Sequence, residues 1–206
     1  MPQLKPLLDA AINLRRRATT ELDGKIAEMR DRLAALQSTK TGLADVDTSD
    51  HDAMLRLAAS KLAADILPKQ IEEVDSLKGD AMRSLGETCE EMRRLLIDLS
   101  AAEQEKVAKE IAALLEPYSM PMPAAGGGTF SPALTAAWSM PIISGMAQAS
   151  NCQSRAVSES NTRRIHDPAR FDSEMLSFAD EVFGIVERYL SNGESFIPPA
   201  YRAKKR

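Results

Sequence analysis

Aromatic residues and cysteines are scarce in this chain of 206 residues. Only 4% of the residues are aromatic, although 44% are hydrophobic. Aromatic side chains supply much of the area that a thick globular core buries, so their scarcity disfavours such a core. The apolar residues are mostly Ala, Leu, Ile and Met, of which Ala, Leu and Met are strong helix formers. The composition therefore predicts an all-α protein held together by narrow seams between helices.

Disulfides and membrane-spanning segments are not expected either. The two cysteines, Cys89 and Cys152, are too few for a disulfide framework. The sequence has no run of about 20 apolar residues to cross a bilayer, and its first residues lack the basic and apolar blocks of a signal peptide. These absences predict a soluble protein in the cytoplasm, or inside a particle assembled there.

The sequence also lacks motifs for catalysis, metal binding or nucleotide binding. A calcium loop counted from Asp45 would place Asp50 where Gly is needed and Arg56 where Glu is needed. Cys152 and His166 have no third residue to orient them as a nucleophile and its base. We therefore predict no catalytic, metal-binding or cofactor-binding residue, no cofactor and no enzymatic activity.

A heptad pattern is the strongest structural signal in the sequence. In the first segment, apolar residues alternate between four- and three-residue spacings. The pattern predicts a helix over residues 7–43 that buries one stripe against a partner. Only Arg15, Thr19 and Lys40 interrupt the series. The stripe comprises Leu8, Ile12, Leu22, Ile26, Met29, Leu33, Leu36 and Leu43.

The second helical segment follows the cap signals around residues 42–50. Pro68 is predicted to kink or divide this segment. The capping-box pattern from Ser100 to Glu103 favours a new helix there, although a continuous helix to Glu116 is the alternative. The predicted buried stripe has two parts with a register slip between them: Leu55, Ala58, Leu62, Ile66, Ile71 and Val74, then Leu85, Cys89, Met92, Leu96 and Leu99.

Charge is divided unevenly between these two segments. Residues 1–44 have a net charge of +3, and residues 45–116 have a net charge of −8. Opposite charges beside a seam help to select its partner. The pattern favours a long antiparallel, coiled-coil-like hairpin over residues 7–99, rather than a parallel homodimer of the first segment.

An uncharged segment occupies residues 117–154 and is rich in Pro, Gly, Met and Ala. It is interpreted as a linker, as an extended arm that docks on a neighbouring subunit, or as a membrane-contacting element. Its more apolar half contains three candidate partner-binding residues, Trp138, Ile142 and Ile143.

A C-terminal amphipathic helix is predicted to begin at Asp172 or Ser173 and to close at Asn192-Gly193. In the tail beyond it, Pro198, Pro199 and Tyr201 fit a PPxY pattern that polyproline-reading domains bind. The chain is thereby divided into a hairpin or bundle at 1–116, an arm and polar loop at 117–170, and a helix with a basic tail at 171–206.

Three classes of function are compatible with these features. The leading hypothesis is a non-catalytic structural, assembly or adaptor protein that engages neighbouring subunits or another protein; a scaffold or a component of a virion fits this description. The second is a nucleic-acid-associated accessory protein, whose phosphate contacts would weaken with salt. The third is an enzyme without a recognisable motif. The candidate nucleic-acid residues are Arg15, Arg16, Arg17, Lys204, Lys205 and Arg206.

Overall fold

The protein is built from long helices. The computed structural model describes residues 3–42, 51–115, 117, 120–121, 129–130 and 166–197. Within these ranges the predicted all-α fold is confirmed. The helices are α1 (Leu4–Arg16), α2 (Asp23–Gly42), α3 (His51–Leu115) and α4 (Pro168–Ser191), and a π-helical segment (Arg17–Leu22) joins α1 to α2. Two short strands, β1 (Met120–Pro121) and β2 (Thr129–Phe130), form an antiparallel pair with Met120 opposite Phe130.

The chain divides into two compact units. Unit 1 comprises residues 1–8, 87–156 and 176–206, and unit 2 comprises residues 9–86 and 157–175. In unit 2, the buried apolar residues come from all of its helical stretches, for example Leu22, Leu67 and Phe171. In unit 1, the buried residues include Met92 and Leu96 of α3 and Phe178 of α4. The division at residues 116 and 170 remains a prediction.

The first helical segment contains one more residue in its buried face than a regular heptad allows. Ala18, Leu22 and Ile26 are all buried and lie four residues apart, whereas a heptad would alternate four with three. The π-helical turn at Arg17–Leu22 is wider than an α-helical turn, so it takes up the additional residue. Because of this shift, Ala11 is buried and the predicted seam residue Ile12 is 43% exposed.

Helix α3 runs without a break for 65 residues, so the prediction of a new helix at Ser100 is wrong. Ser100 lies inside the helix, and its hydroxyl donates to the carbonyl oxygen of Ile97 at 2.9 Å. Pro68 does not divide α3 either, although it supplies no N–H to the carbonyl of Ala64.

The predicted register of α3 is right in one half and wrong in the other. Leu85, Cys89, Met92 and Leu96 are fully buried, as their spacing indicates. Between residues 55 and 66, however, the predicted stripe faces outward. The buried or half-buried face of this stretch, which we call the inner stripe, consists of Leu57, Ser60, Ala64, Leu67, Ile71, Val74, Lys78, Ala81 and Leu85. Its spacing alternates three and four without a slip, but Ser60 and Lys78 conceal it because they are polar.

Helix α4 begins earlier than its sequence suggests and ends where it was predicted to end. Asp167 is the N-cap residue, since its carboxylate accepts a hydrogen bond from the backbone N–H of Arg170 at 3.0 Å. At the other end, Gly193 has a φ of 67° and its N–H donates to Leu190. The N–H of Glu194 donates to Tyr189, which completes a Schellman motif. Among the described helices, none combines the length and the apolar character needed to cross a bilayer.

Candidate protein-interaction site

Most of the residues that the sequence nominates for binding fall outside the described ranges. This holds for every candidate in the uncharged arm and in the tail, so their predicted roles remain predictions. These residues are Trp138, Ile142, Ile143, Pro198, Pro199, Tyr201, Lys204, Lys205 and Arg206.

The three consecutive arginines lie where α1 meets the π-helical segment. Arg15 is half-buried, whereas Arg16 and Arg17 are exposed. The Nε atom of Arg16 lies 3.8 Å from a carboxylate oxygen of Glu21, and both side chains are more than half exposed. Since successive helical residues point about 100° apart, the three guanidinium groups do not share one face.

An ionic junction joins three helices inside unit 2. Lys78 of α3 points its ammonium group between two carboxylates, with Nζ 2.7 Å from Oδ1 of Asp23 and 2.8 Å from Oδ2 of Asp172. The side chains of Lys78 and Asp172 are 14% and 11% exposed, whereas that of Asp23 is 43% exposed. The junction therefore links α3 to α2 and α4 through one buried pair and one partly hydrated pair.

The electrostatics of this junction favour a structural role over a chemical one. Burial lowers the pKa of Lys78, but hydrogen bonds and charge attraction from Asp172 and Asp23 exceed this effect and raise the pKa above its ordinary value. A lysine acts as a nucleophile or base only when it loses its proton readily. Lys78 instead remains an ammonium group, and its two ion pairs link α3 to α2 and α4.

A second polar junction, in unit 1, fixes the turn that follows α4. The carboxylate of Glu103 accepts hydrogen bonds from the hydroxyl of Ser195 and from the backbone N–H of Phe196, the latter at 2.7 Å. The Asn192 amide donates to the carbonyl oxygens of Ser195 and Ile197 at 2.6 and 2.9 Å. Glu103, which the sequence suggested as part of a helix cap, thus binds a turn more than 90 residues away.

Aromatic packing completes this junction. The ring centroids of Tyr189 and Phe196 are 4.7 Å apart. Burial raises the pKa of Tyr189, and the negative charges of Glu103 and Glu194 raise it further. The junction holds the chain in place as far as Ile197, the residue immediately before Pro198.

The candidate interaction surface is an apolar face on the outside of α3. Leu55, Leu62 and Ile66 are 56%, 61% and 42% exposed. Together with the exposed Ala59 they alternate by four, three and four residues, and we call these four residues the outer stripe. Residues two positions apart on a helix point about 200° apart, so Leu62 faces away from Ser60 and Ala64 of the inner stripe.

The sequence predicted three residues of the outer stripe, Leu55, Leu62 and Ile66, with Ala58 in place of Ala59, but assigned them to the buried side of the helix. Their apolar spacing marked them as a packing face, whereas the competing inner stripe was broken by Ser60 and Lys78. Two apolar faces on one helix are a sign that it packs on two sides. Met54 and Leu77 are further exposed apolar residues of α3, at 40% and 48%.

The described residues do not form a binding site for a metal ion. Within the described ranges, no three His, Cys, Asp or Glu side chains are grouped closely enough to hold one. Comparison of the chain with protein-family models, with curated proteins and with solved structures finds no match. No relative therefore assigns a role to the outer stripe or to the two junctions.

Proposed function

We propose that this protein is a non-catalytic assembly or adaptor protein that uses its helical body to bind neighbouring subunits or another protein. The observation that carries the proposal is the outer stripe, which presents large apolar side chains at the heptad spacing of a helix–helix seam. Scattered apolar residues are normal on a surface, but a regular apolar row suits a partner helix.

The size of the stripe predicts a weak and concentration-dependent interaction. Leu55, Leu62 and Ile66 are each about half exposed, so covering one of them recovers about 1 kcal/mol of hydrophobic free energy. Association costs at least about 4 kcal/mol in lost translational and rotational freedom. A single stripe therefore supports a transient contact, and stable assembly requires a matching apolar surface on the partner or several contacts at once.

One of the two junctions, that of Lys78, supports the proposal. The Lys78 junction fixes the position of α3 in unit 2, the unit that carries the stripe. A surface that is already ordered before binding loses less conformational entropy on binding.

Analytical ultracentrifugation of the full chain over a wide concentration range tests the proposal. The variant Leu55→Gln, Leu62→Gln, Ile66→Gln should retain its helical circular dichroism, because all three side chains are exposed, and should lose the higher species formed by the wild type. Ile12→Gln is the matched control, since Ile12 is also exposed at 43% but stands alone on α1.

The proposal would be contradicted by one combination of results. In that combination, the wild type sediments as a monomer at every concentration. In addition, native purification followed by mass spectrometry finds the same co-purifying proteins with the wild type and with the triple variant.

A further inference from the structure

We infer that the outer stripe binds the same stripe of a second copy of this chain, in antiparallel orientation, about a two-fold axis between residues 60 and 61. The inference rests on the proposed function and specifies its partner. It commits to a homotypic helix pair formed by residues 52–69 of α3, all of which lie in unit 2.

Apolar matching selects this axis. In an antiparallel coiled coil, each a position of one helix faces a d position of the partner helix. An axis between residues 60 and 61 places Leu55 opposite Ile66 and Ala59 opposite Leu62 of the second copy. Each large residue near the axis then faces a small one, which lets the two helices approach closely, and the two-fold symmetry repeats both layers.

Charge matching selects the orientation. The next positions in the same spacing are Asp52 and Lys69, and both are exposed. In the antiparallel pair, Asp52 of one copy lies opposite Lys69 of the other at both ends of the apolar layers. In a parallel pair in register, Asp52 would face Asp52 and Lys69 would face Lys69. Like charges at facing positions suppress that arrangement, and opposite charges favour the antiparallel one.

Asp52 and Lys69 also limit the length of the interface. The paired stretch from 52 to 69 is about 26 Å long, and it contains four apolar layers between two charged ones. This is smaller than a standard stable interface. The pair therefore forms at high local concentration, as within an assembly, and dissociates on dilution.

Cysteine cross-linking in the full chain tests the orientation directly. Leu55→Cys and Ile66→Cys are each introduced into a Cys152→Ser background, in which Cys89 remains buried. Mild oxidation of the two variants mixed together should give a disulfide-linked dimer at a yield at least about fivefold higher than either variant alone. A parallel pair would give the reverse, because each variant would then cross-link to itself.

Charge reversal provides a second test that needs no cysteine. Lys69→Asp and Asp52→Lys should each weaken self-association about tenfold, since each replaces two attractive contacts with two repulsive ones. The double variant should restore the wild-type dissociation constant. Failure of the double variant to recover would overturn the inference.

The remaining outcomes separate this inference from the proposed function. Self-association without the mixed cross-link overturns the antiparallel pair and leaves the assembly function standing. In another outcome, the wild type is always monomeric but binds a different protein, and the triple glutamine variant loses that binding. This result assigns the stripe to a helix of another protein and likewise overturns only the inference. A wild type that is monomeric and binds nothing through the stripe removes both.

Discussion

Replacing Lys78 with methionine should destabilise unit 2 substantially. The substitution keeps much of the aliphatic volume but removes the ammonium group that lies 2.7 Å from Asp23 and 2.8 Å from Asp172. The carboxylate of Asp172 would remain in a setting that is 11% exposed. Leaving one member of a buried pair without its counter-charge typically costs about 3–5 kcal/mol.

The exposure of each carboxylate determines how much its ion pair with Lys78 contributes to the free energy of unfolding. Since neither Lys78 nor Asp172 is completely buried, we expect the lower end of that range, about 3 kcal/mol, for Lys78→Met. Asp23 is 43% exposed, and an exposed pair contributes less than about 1 kcal/mol, so Asp23→Asn should have a small effect. The variant Lys78→Met, Asp172→Leu should recover most of the loss, because an apolar pair carries no uncompensated charge.

Urea denaturation followed by far-ultraviolet circular dichroism measures these free energies of unfolding. Similar small losses for Lys78→Met and Asp23→Asn, or a double variant no more stable than Lys78→Met, would refute the argument from burial. The pH dependence supplies an independent check. Because the pKa of Lys78 is raised in the folded state, its stabilising effect is fully present below the ordinary lysine value of about 10.4 and is lost as the pH rises through the folded-state pKa. The difference in stability between wild type and Lys78→Met should therefore shrink in strongly alkaline solution.

Four further substitutions test the packing of α3, the Schellman turn and the second junction. Leu67→Ala should cost about 3 kcal/mol and Leu62→Ala less than about 0.5 kcal/mol, because these side chains are 5% and 61% exposed; equal losses in urea denaturation would contradict the observed register. Gly193→Ala should lower stability by about 1 kcal/mol in thermal melts, since its φ of 67° strains any residue with a Cβ, and an unchanged melting temperature would argue against the Schellman turn. Glu103→Gln should lower the pKa of Tyr189, because it removes a negative charge that raises it; an ultraviolet titration of the phenol with an unshifted midpoint would show that the carboxylate has no such influence.

The sequence predicted which segments are helical better than it predicted which side of each helix is buried. Long helices, the stripe from Leu85 to Leu96 and the end of α4 at Asn192-Gly193 followed from local rules, because spacing and capping are encoded in neighbouring residues. The inner stripe of α3 did not, since Lys78 occupies one of its positions. The charge is acceptable there only because Asp23 and Asp172 come from other helices, and that arrangement is visible only in three dimensions.

Two other departures have different causes: a distant contact for Glu103 and a local change of helix type for Ile12. Glu103 is three residues after Ser100, which satisfies a capping-box pattern, yet its carboxylate binds the N–H of Phe196 instead of capping a helix. Ile12 fits a regular heptad from Leu8, but the π-helical turn shifts the buried face to Ala11. The sequence candidates in the uncharged arm and in the tail fall outside the described residues.

The residue types on the two faces of α3 bear on the proposed assembly function, in addition to the exposure of the outer stripe. An isolated hairpin needs one apolar face on this helix, and the opposite face is then best filled with polar side chains. In unit 2 the inner stripe includes Ser60 and Lys78, while Leu55, Leu62 and Ile66 point outward. These outer residues add little to the packing of unit 2, because each is about half exposed. Under the proposed assembly function a partner covers this outer face, and the opposite charges of Asp52 and Lys69 at the two ends of the stripe favour a partner of the same sequence.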